Sequence, residues 1–406
     1  MRRVARWALG VVVLAGLVAL PTAASASPGA LVVGQAPLAQ GAQPGSCKHP
    51  NYSTVQGAIN AAPSGAVIHV CPGTYVEQLT IAGKNLKLMG AGQGATTITA
   101  PAVLSADGDG KHNLVEVGSL TGVGGPVNVS MKLMTLTGPG PGPCGSIDSG
   151  IAVVGGSTLS LALSTIRDIR DSPIGGCQNG EGVRAGTQRY ITNDPQVGHV
   201  TVVHTTVTGY QKNGIVISGT SSSGALRHNT IATSNPGIAS NGVEVIGGGK
   251  ASVSRNQISG NECDIPSVCG PAFTTESQGA GILLIGPGTP TTLSNNTVSA
   301  NDEGVYTDTG IRLSHNDVSG NRYEGIFVDS GANGFVSAHD VTTGDGNYGI
   351  YMGSSTGSTA GEAGTFSHDT AQGNTVDDFF WDGNGTLHAV KNICGSATPS
   401  LSAWGC

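Results

Sequence analysis

Apolar side chains in this chain follow neither a helical spacing nor one long run. They come in short alternating stretches, NGIVI (213–217), NGVEV (241–245), AGILL (280–284), EGVYT (303–307), EGIFV (324–328) and YGIYM (348–352), which return at about twenty-residue spacing. Between them lie polar corners of one type, clearest in SRNQISGN (254–261), SNNTVSAN (294–301) and SHNDVSGN (314–321). Alternation with period two predicts short strands joined by tight turns. A fixed repeat of this length predicts a solenoid, because one such rung cannot bury its apolar face alone and must stack on the next. Leucine-rich repeats share the length but need a leucine ladder, which is missing here. One corner position recurs as Asn229, Asn256, Asn296 and Asn316, with Asp369 in the same place. Asn suits that corner because it tolerates left-handed backbone and bonds neighbouring backbone groups.

On these repeats, residues 52 to 394 resemble the right-handed parallel β-helix of the pectin-lyase-like superfamily. The stretch YSTVQGAINAAPSGAVIHVCPGTYVEQLTI (52–81) looks like the opening of pectin methylesterases and many secreted β-helix proteins. The resemblance implies an all-β, single-stranded coil. A short amphipathic helix would cap its open N-terminal end, and Pro72-Gly73-Thr74-Tyr75 would turn into the first rung. At the other end, NTVDDFFWDGNGTLHAVKNIC (374–394) concentrates Phe379, Phe380 and Trp381, which read as an aromatic cap over the last rung. The signatures of the superfamily's known enzymes are missing: Q-D-T and L-G-R-P-W of methylesterases, R-x-x-P-x-x-R of pectate lyases, and G-H-G with R-I-K of polygalacturonases.

The ends and the charge narrow the setting. Arg2, Arg3 and Arg6, an apolar run from Trp7 to Leu20 and a small-residue site at Ala24-Ser25-Ala26 read as a secretory signal peptide over 1–26. Residues 27–46 then form a flexible segment, and 47–406 form one β-helix domain with its caps. The mature chain is expected outside the cell or at the cell wall, as a monomer without a membrane span. Without the three leader arginines, 16 basic side chains face 26 acidic ones, a formal charge near −10. Such a balance argues against nucleic acid as a partner and disfavours polyanions unless a basic patch or a metal intervenes. Eight cysteines form an even set, and their spacing suggests Cys47–Cys71, Cys144–Cys177, Cys263–Cys269 and Cys394–Cys406. The outer two pairs would fasten the ends, the inner two would fasten inserted loops.

Alignment on the glycine that starts each strand sorts the outward side chains into columns. The first reads Arg184, Val216, Glu244, Leu283, Tyr306, Phe327 and Tyr351; the second includes Asp308 and Asp329 on adjacent rungs. Tyr306, Phe327 and Tyr351 form a candidate platform for sugar rings, since an outward apolar patch usually has a partner. Asp308 and Asp329, with Glu303, Glu324 and Glu244 as alternates, are the candidate acid and base of a glycan hydrolase. In a lyase, Arg184 would abstract the proton and calcium held by Asp308 and Asp329 would neutralise a uronate. The expected partner is therefore a polysaccharide or cell-wall glycan, acted on by hydrolysis or elimination, or held by a non-catalytic binding module. Insertions at 138–150, 170–180, 185–199, 261–279 and 353–364 interrupt the repeat, and loops of this kind build binding surfaces. The first three carry or adjoin Arg167, Arg170, Arg184 and Arg189, interleaved with Asp168, Asp171, Glu181 and Asp194. A polar stripe of His204, His228, Arg255, Asn295, His315 and His368 precedes the Asn column.

Overall fold

The computed structural model describes residues 31–36, 45–188, 195–234, 239–271, 276–358 and 360–406. The leader segment 1–26 and the side chains of Arg189 and Asp194 lie outside them. Each rung contributes one strand to each of three parallel sheets. Asn241–Ile246 lies in sheet 1, Lys250–Ser254 in sheet 2 and Gln257–Ser259 in sheet 3, before Ala280–Ile285 re-enters sheet 1 one rung on. Sheets 1 and 3 hold twelve strands and sheet 2 holds thirteen. Inward residues such as Val243, Val245, Val253 and Ile258 stack into one buried column of Val, Ile and Leu. No described helix is long and apolar enough to cross a membrane.

The glycine near the start of the sheet 1 strands from Gly150 to Gly349 is a steric requirement. A Cβ on Gly242 would sit 2.4 Å from the Ile258 side chain and 2.6 Å from the Gly281 carbonyl of the next rung, and one on Gly304 would sit 2.3 Å from the Gly325 carbonyl. Both that glycine and the residue after it turn inward, so the residue before it faces out. Two outward columns result where strict alternation would supply a single face.

Two amide ladders close the other corners. In the expected one, Asn296 Oδ1 accepts from the backbone N–H of Asn256 at 3.0 Å and from its Nδ2 at 3.0 Å, while Asn296 Nδ2 donates to Val253 O and Asn316 Oδ1. The ladder continues through Asp340 and Asp369 to Asn392. The left-handed conformation falls one residue earlier than expected, on the His stripe: φ is +56° at His228, +57° at His315 and +58° at His368. His is itself enriched in that region, and here the exposed rings of His315, His339 and His368 stack at 4.8 Å. A second ladder, from the last Asn of each SGN corner, runs Asn261, Asn301, Asn321, Asp345, with Tyr210 donating to Asn261 at its head.

All eight cysteines pair as expected. The helix Val55–Ala61 covers the N-terminal end, its first N–H groups held by the Glu77 carboxylate at 2.8 and 2.9 Å. Part of the segment expected to be flexible is ordered, since Leu31–Val33 adds a strand to sheet 2 beside Ile68–Val70. At the C-terminus the plug is Trp404, fully buried on Phe366 and Phe379 and followed by the Cys394–Cys406 bridge. Phe380 and Trp381, expected in the cap, lie on the final turns of sheet 1 and stay half-exposed, because Asp377–Trp381 is a regular strand whose alternation sends Phe379 inward instead.

Two predictions follow from the ladders. Asn296→Ala leaves several buried groups unpaired and should cost ~3 kcal/mol, read as a shift in urea midpoint. Burial raises Asp345 and Asp369 to about 7 and also raises Asp340. Groups raised above their unfolded value near ~4 contribute most below that pH and lose their contribution as pH rises to about 7. Tm should therefore be higher at pH 5 than at pH 8, and the double variant D345N/D369N should flatten that difference; an unchanged slope would exclude these two acids as its source.

Candidate active-site groove

Sheet 1 presents its two outward columns as the floor of a groove. One column, in register, is Glu116, Ala152, Arg184, Val216, Glu244, Leu283, Tyr306, Phe327, Tyr351 and Phe380. The other is Asn113, Ser149, Glu181, Asn213, Asn241, Ala280 and Glu303, followed by Glu324 before the next glycine. Arg184 thus shares a face with the aromatics, but lies four rungs from Tyr306, about 19 Å at the usual inter-strand spacing.

A cleft of about 460 Å³ opens over the N-terminal part of this floor. Its walls come from the inserted loops. Cys144–Cys177 ties 138–150 to 170–180, and buried Asp171 organises both by accepting from Ser146, Asn179 and Gln211. Asp107, Asp109, Lys111, Asp148, Glu181 and Arg184 line the cleft. Asp148 meets Lys111 Nζ at 3.1 Å and the His112 N–H at 2.7 Å. Both donor arms of the Arg184 guanidinium engage Glu181. Glu116, half-buried on the strand that carries Asn113 and paired with Ala152, is pushed up to about 7 by burial and then by the nearby Asp107 charge. This acid was missed at the sequence level: the alignment began at Gly182, and burial is not a local signal. Farther along, Glu244 is raised by burial and Lys212 lowered by burial, each tempered by the other's charge.

A second cleft, of about 220 Å³, lies between sheet 1 and the loop bridged by Cys263–Cys269. Asn241, Glu276, Gln278, Leu283, Glu303 and Tyr306 line it. Glu303 is 1% exposed, and among the described residues its carboxyl meets no donor beyond Glu324. Its neighbour is the carboxyl of Glu324, which accepts from Asn347 Nδ2 at 3.2 Å. Burial and the Glu324 charge raise Glu303 far above the usual carboxylate range, and burial raises Glu324.

The two aspartates sit on adjacent rungs but do not form an acid–base pair. Asp329 accepts from Ser330 N, Ser355 N, Ser355 Oγ and the Tyr306 hydroxyl, which uses both of its oxygens to anchor the 353–364 insertion. Asp308 accepts from Gly286 N at 2.7 Å and from Thr309 Oγ1 at 2.9 Å. These bonds also leave no carboxylate pair there for calcium. Among the described residues the one cluster of candidate ligand atoms is Cys144, Asp171 and Cys177, whose sulfurs are joined to each other. The aromatics do stack, Tyr306 on Phe327 at 5.3 Å and Phe327 on Tyr351 at 4.7 Å, but Tyr306 and Phe327 are 8% and 4% exposed. The half-exposed platform is Tyr348, Tyr351 and Phe380, with Tyr351 and Phe380 stacked at 4.8 Å. Arg184 is held as a cation by Glu181, and a guanidinium does not lose its proton in a protein; it therefore holds a carboxylate in place and is no base.

Residues 190–366 match the family model described as "Right handed beta helix region". The fold is a right-handed parallel β-helix. Among solved structures, the Agl-KA catalytic domain is similar at TM-score 0.58 and 13% identity, over 84% of this chain and 62% of that one. This β-helix thus spans just under two thirds of that protein's length. The A-module of the Azotobacter vinelandii mannuronan C-5 epimerase AlgE6 aligns at TM-score 0.47 and 17% identity, over 85% of this chain and 94% of that one. The GH87 α-1,3-glucanase catalytic unit of Streptomyces thermodiastaticus strain HF3-3 aligns at 0.40 and 12%, over 86% and 67%. No curated protein sequence matches the chain.

Asp329→Ala removes the anchor of the 353–364 loop of this β-helix. It should cost ~3 kcal/mol, since buried donors lose their acceptor, and limited proteolysis should then cut within that loop well before the rest of the chain.

Proposed function

We propose that the protein is an extracytoplasmic glycoside hydrolase that lays a polysaccharide along sheet 1 and cleaves it in the larger cleft. One observation carries this reading: Glu116, with a pKa of about 7, is in register with Ala152 of a cleft whose lining also holds Asp148, bound to Lys111, and Glu181, bound to Arg184. Glycoside hydrolysis needs that division, a protonated carboxyl to donate to the leaving oxygen and an ionised one to activate water or attack the sugar. Glu116 is the acid in this scheme, and Asp148 or Glu181 is the base or nucleophile. Lys111 is paired with Asp148 and Arg184 with Glu181.

The lining also bears on the substrate. Among the described lining residues, Asp107, Asp109, Asp148 and Glu181 outnumber Lys111 and Arg184, which disfavours a polyuronate. With Arg184 locked as a cation, elimination lacks the base that a lyase would take from it. Four disulfides support an oxidising compartment, in keeping with the leader-like segment at 1–26.

Glu116→Gln should lower kcat by ~10²–10⁴-fold with KM little changed. Wild-type activity should fall as pH rises past about 7, because the donor proton is lost there. The assay follows reducing ends and the absorbance of unsaturated products on a polysaccharide panel. Full activity in the Gln variant would reject this assignment, and glycan binding without new reducing ends would make the protein a binding module.

A further inference from the structure

The smaller cleft has a feature that the hydrolytic reading leaves unused. Glu303 is almost wholly buried, lines the cleft, and meets no donor among the described residues beyond Glu324. It is stacked on Glu324 of the next rung, and Glu276 enters the same cleft from the bridged loop. No Lys or Arg lines it among the described residues. Lys212 does not answer the pair: its Nζ donates to the Ala239 carbonyl at 2.6 Å, and its charge is drawn to Glu244 and Glu181.

Burying two adjacent carboxyls with so few donors is costly, and the cost is recovered only if a proton is shared between them or a cation arrives. A neutral sugar offers hydroxyl donors but no charge. A uronate would add a further negative charge. An ammonium group supplies both donors and charge, and it releases the shared proton to solvent as it enters. Nearby Gln278, whose Oε1 has no donor among the described residues, offers an acceptor to a sugar hydroxyl. The cleft lies on the groove floor, with Val216 and Glu244 between its Leu283 and the Arg184 of the larger cleft.

We propose that the smaller cleft is a subsite for an ammonium-bearing sugar, and that the substrate is a polysaccharide of hexosamine units with free amines. The proposal rests on the reading of sheet 1 as a glycan groove, but not on the identity of the catalytic acid. The Glu303–Glu324 pair binds the ammonium; Glu276 adds charge from the loop side.

Calorimetric titration of the full chain tests it, with a glucosamine hexamer, its fully N-acetylated counterpart, a glucose hexamer and a lysine hexapeptide as probes. The free-amine sugar should bind at least tenfold more tightly than either neutral hexamer. Its binding at neutral pH should release protons, seen by comparing buffers of different ionisation enthalpy. E303Q and E324Q should each erase the tenfold preference and the proton release while leaving the neutral hexamers unaffected. E276Q, on a loop outside the core, should weaken the preference about threefold and covers the case in which the buried variants fail to fold. E116Q should keep the full preference, so loss of hydrolysis and loss of amine recognition read out separately. Equal affinity for the three hexamers, a preference untouched by these substitutions, or tighter binding of the lysine peptide would overturn the proposal.

Discussion

Stacking of one rung on the next at the spacing of a hydrogen-bonded sheet governs nearly everything else in this molecule. Each rung lies about 4.8 Å from its neighbour, and that closeness is why a glycine stands at one position of sheet 1 from Gly150 to Gly349: a side chain there would collide with the carbonyl of the next rung. The same closeness lets one Asn side chain bridge to the rung before it and accept from its backbone, so a column of amides replaces the helices or long loops that satisfy corners in other folds. Gly in one column and Asn in two others are consequences of one distance.

The stacking also creates the chemistry of the groove. Identical positions on successive rungs sit within reach of each other, so like residues are forced together: His on His along the exposed corner, Tyr on Phe on Tyr over sheet 1, Glu303 on Glu324. For aromatic rings that is favourable. For carboxyls it is costly, and the cost appears as acids held protonated in the neutral range. Acids in the ladders carry that cost as a dependence of stability on pH. Acids at the groove can turn it to use, because a substrate can supply what the protein withholds.

Inserted loops decide where along the uniform sheet a site can exist. The two bridged loops stand beside the two clefts, and each is tied by a disulfide that keeps it from collapsing back onto the rungs. Glu116, raised by burial and by the Asp107 charge, lies in register with Ala152 of the larger cleft. The 353–364 insertion does the reverse, covering Tyr306 and Phe327 through Ser355 and Asp329 and removing them from the surface.

The sequence by itself determined the coil, the outward column of sheet 1, the first Asn ladder, the four disulfides and the stacking of Glu303 on Glu324, because all of these follow from a repeat period and from alternation along a strand. It also marked the loops as the place to look for function. Only the tertiary structure decided which acids are available. Asp308 and Asp329 have the right spacing, but their partners Gly286 and Ser355 come from a neighbouring rung and a loop that no periodic reading places. Glu116 has no distinguishing periodic signal in sequence, and its pKa depends on burial and on the Asp107 charge. Periodicity transmits position along a solenoid; hydrogen-bond partners and desolvation come from the aperiodic insertions, and those are what separate a structural carboxylate from a reactive one.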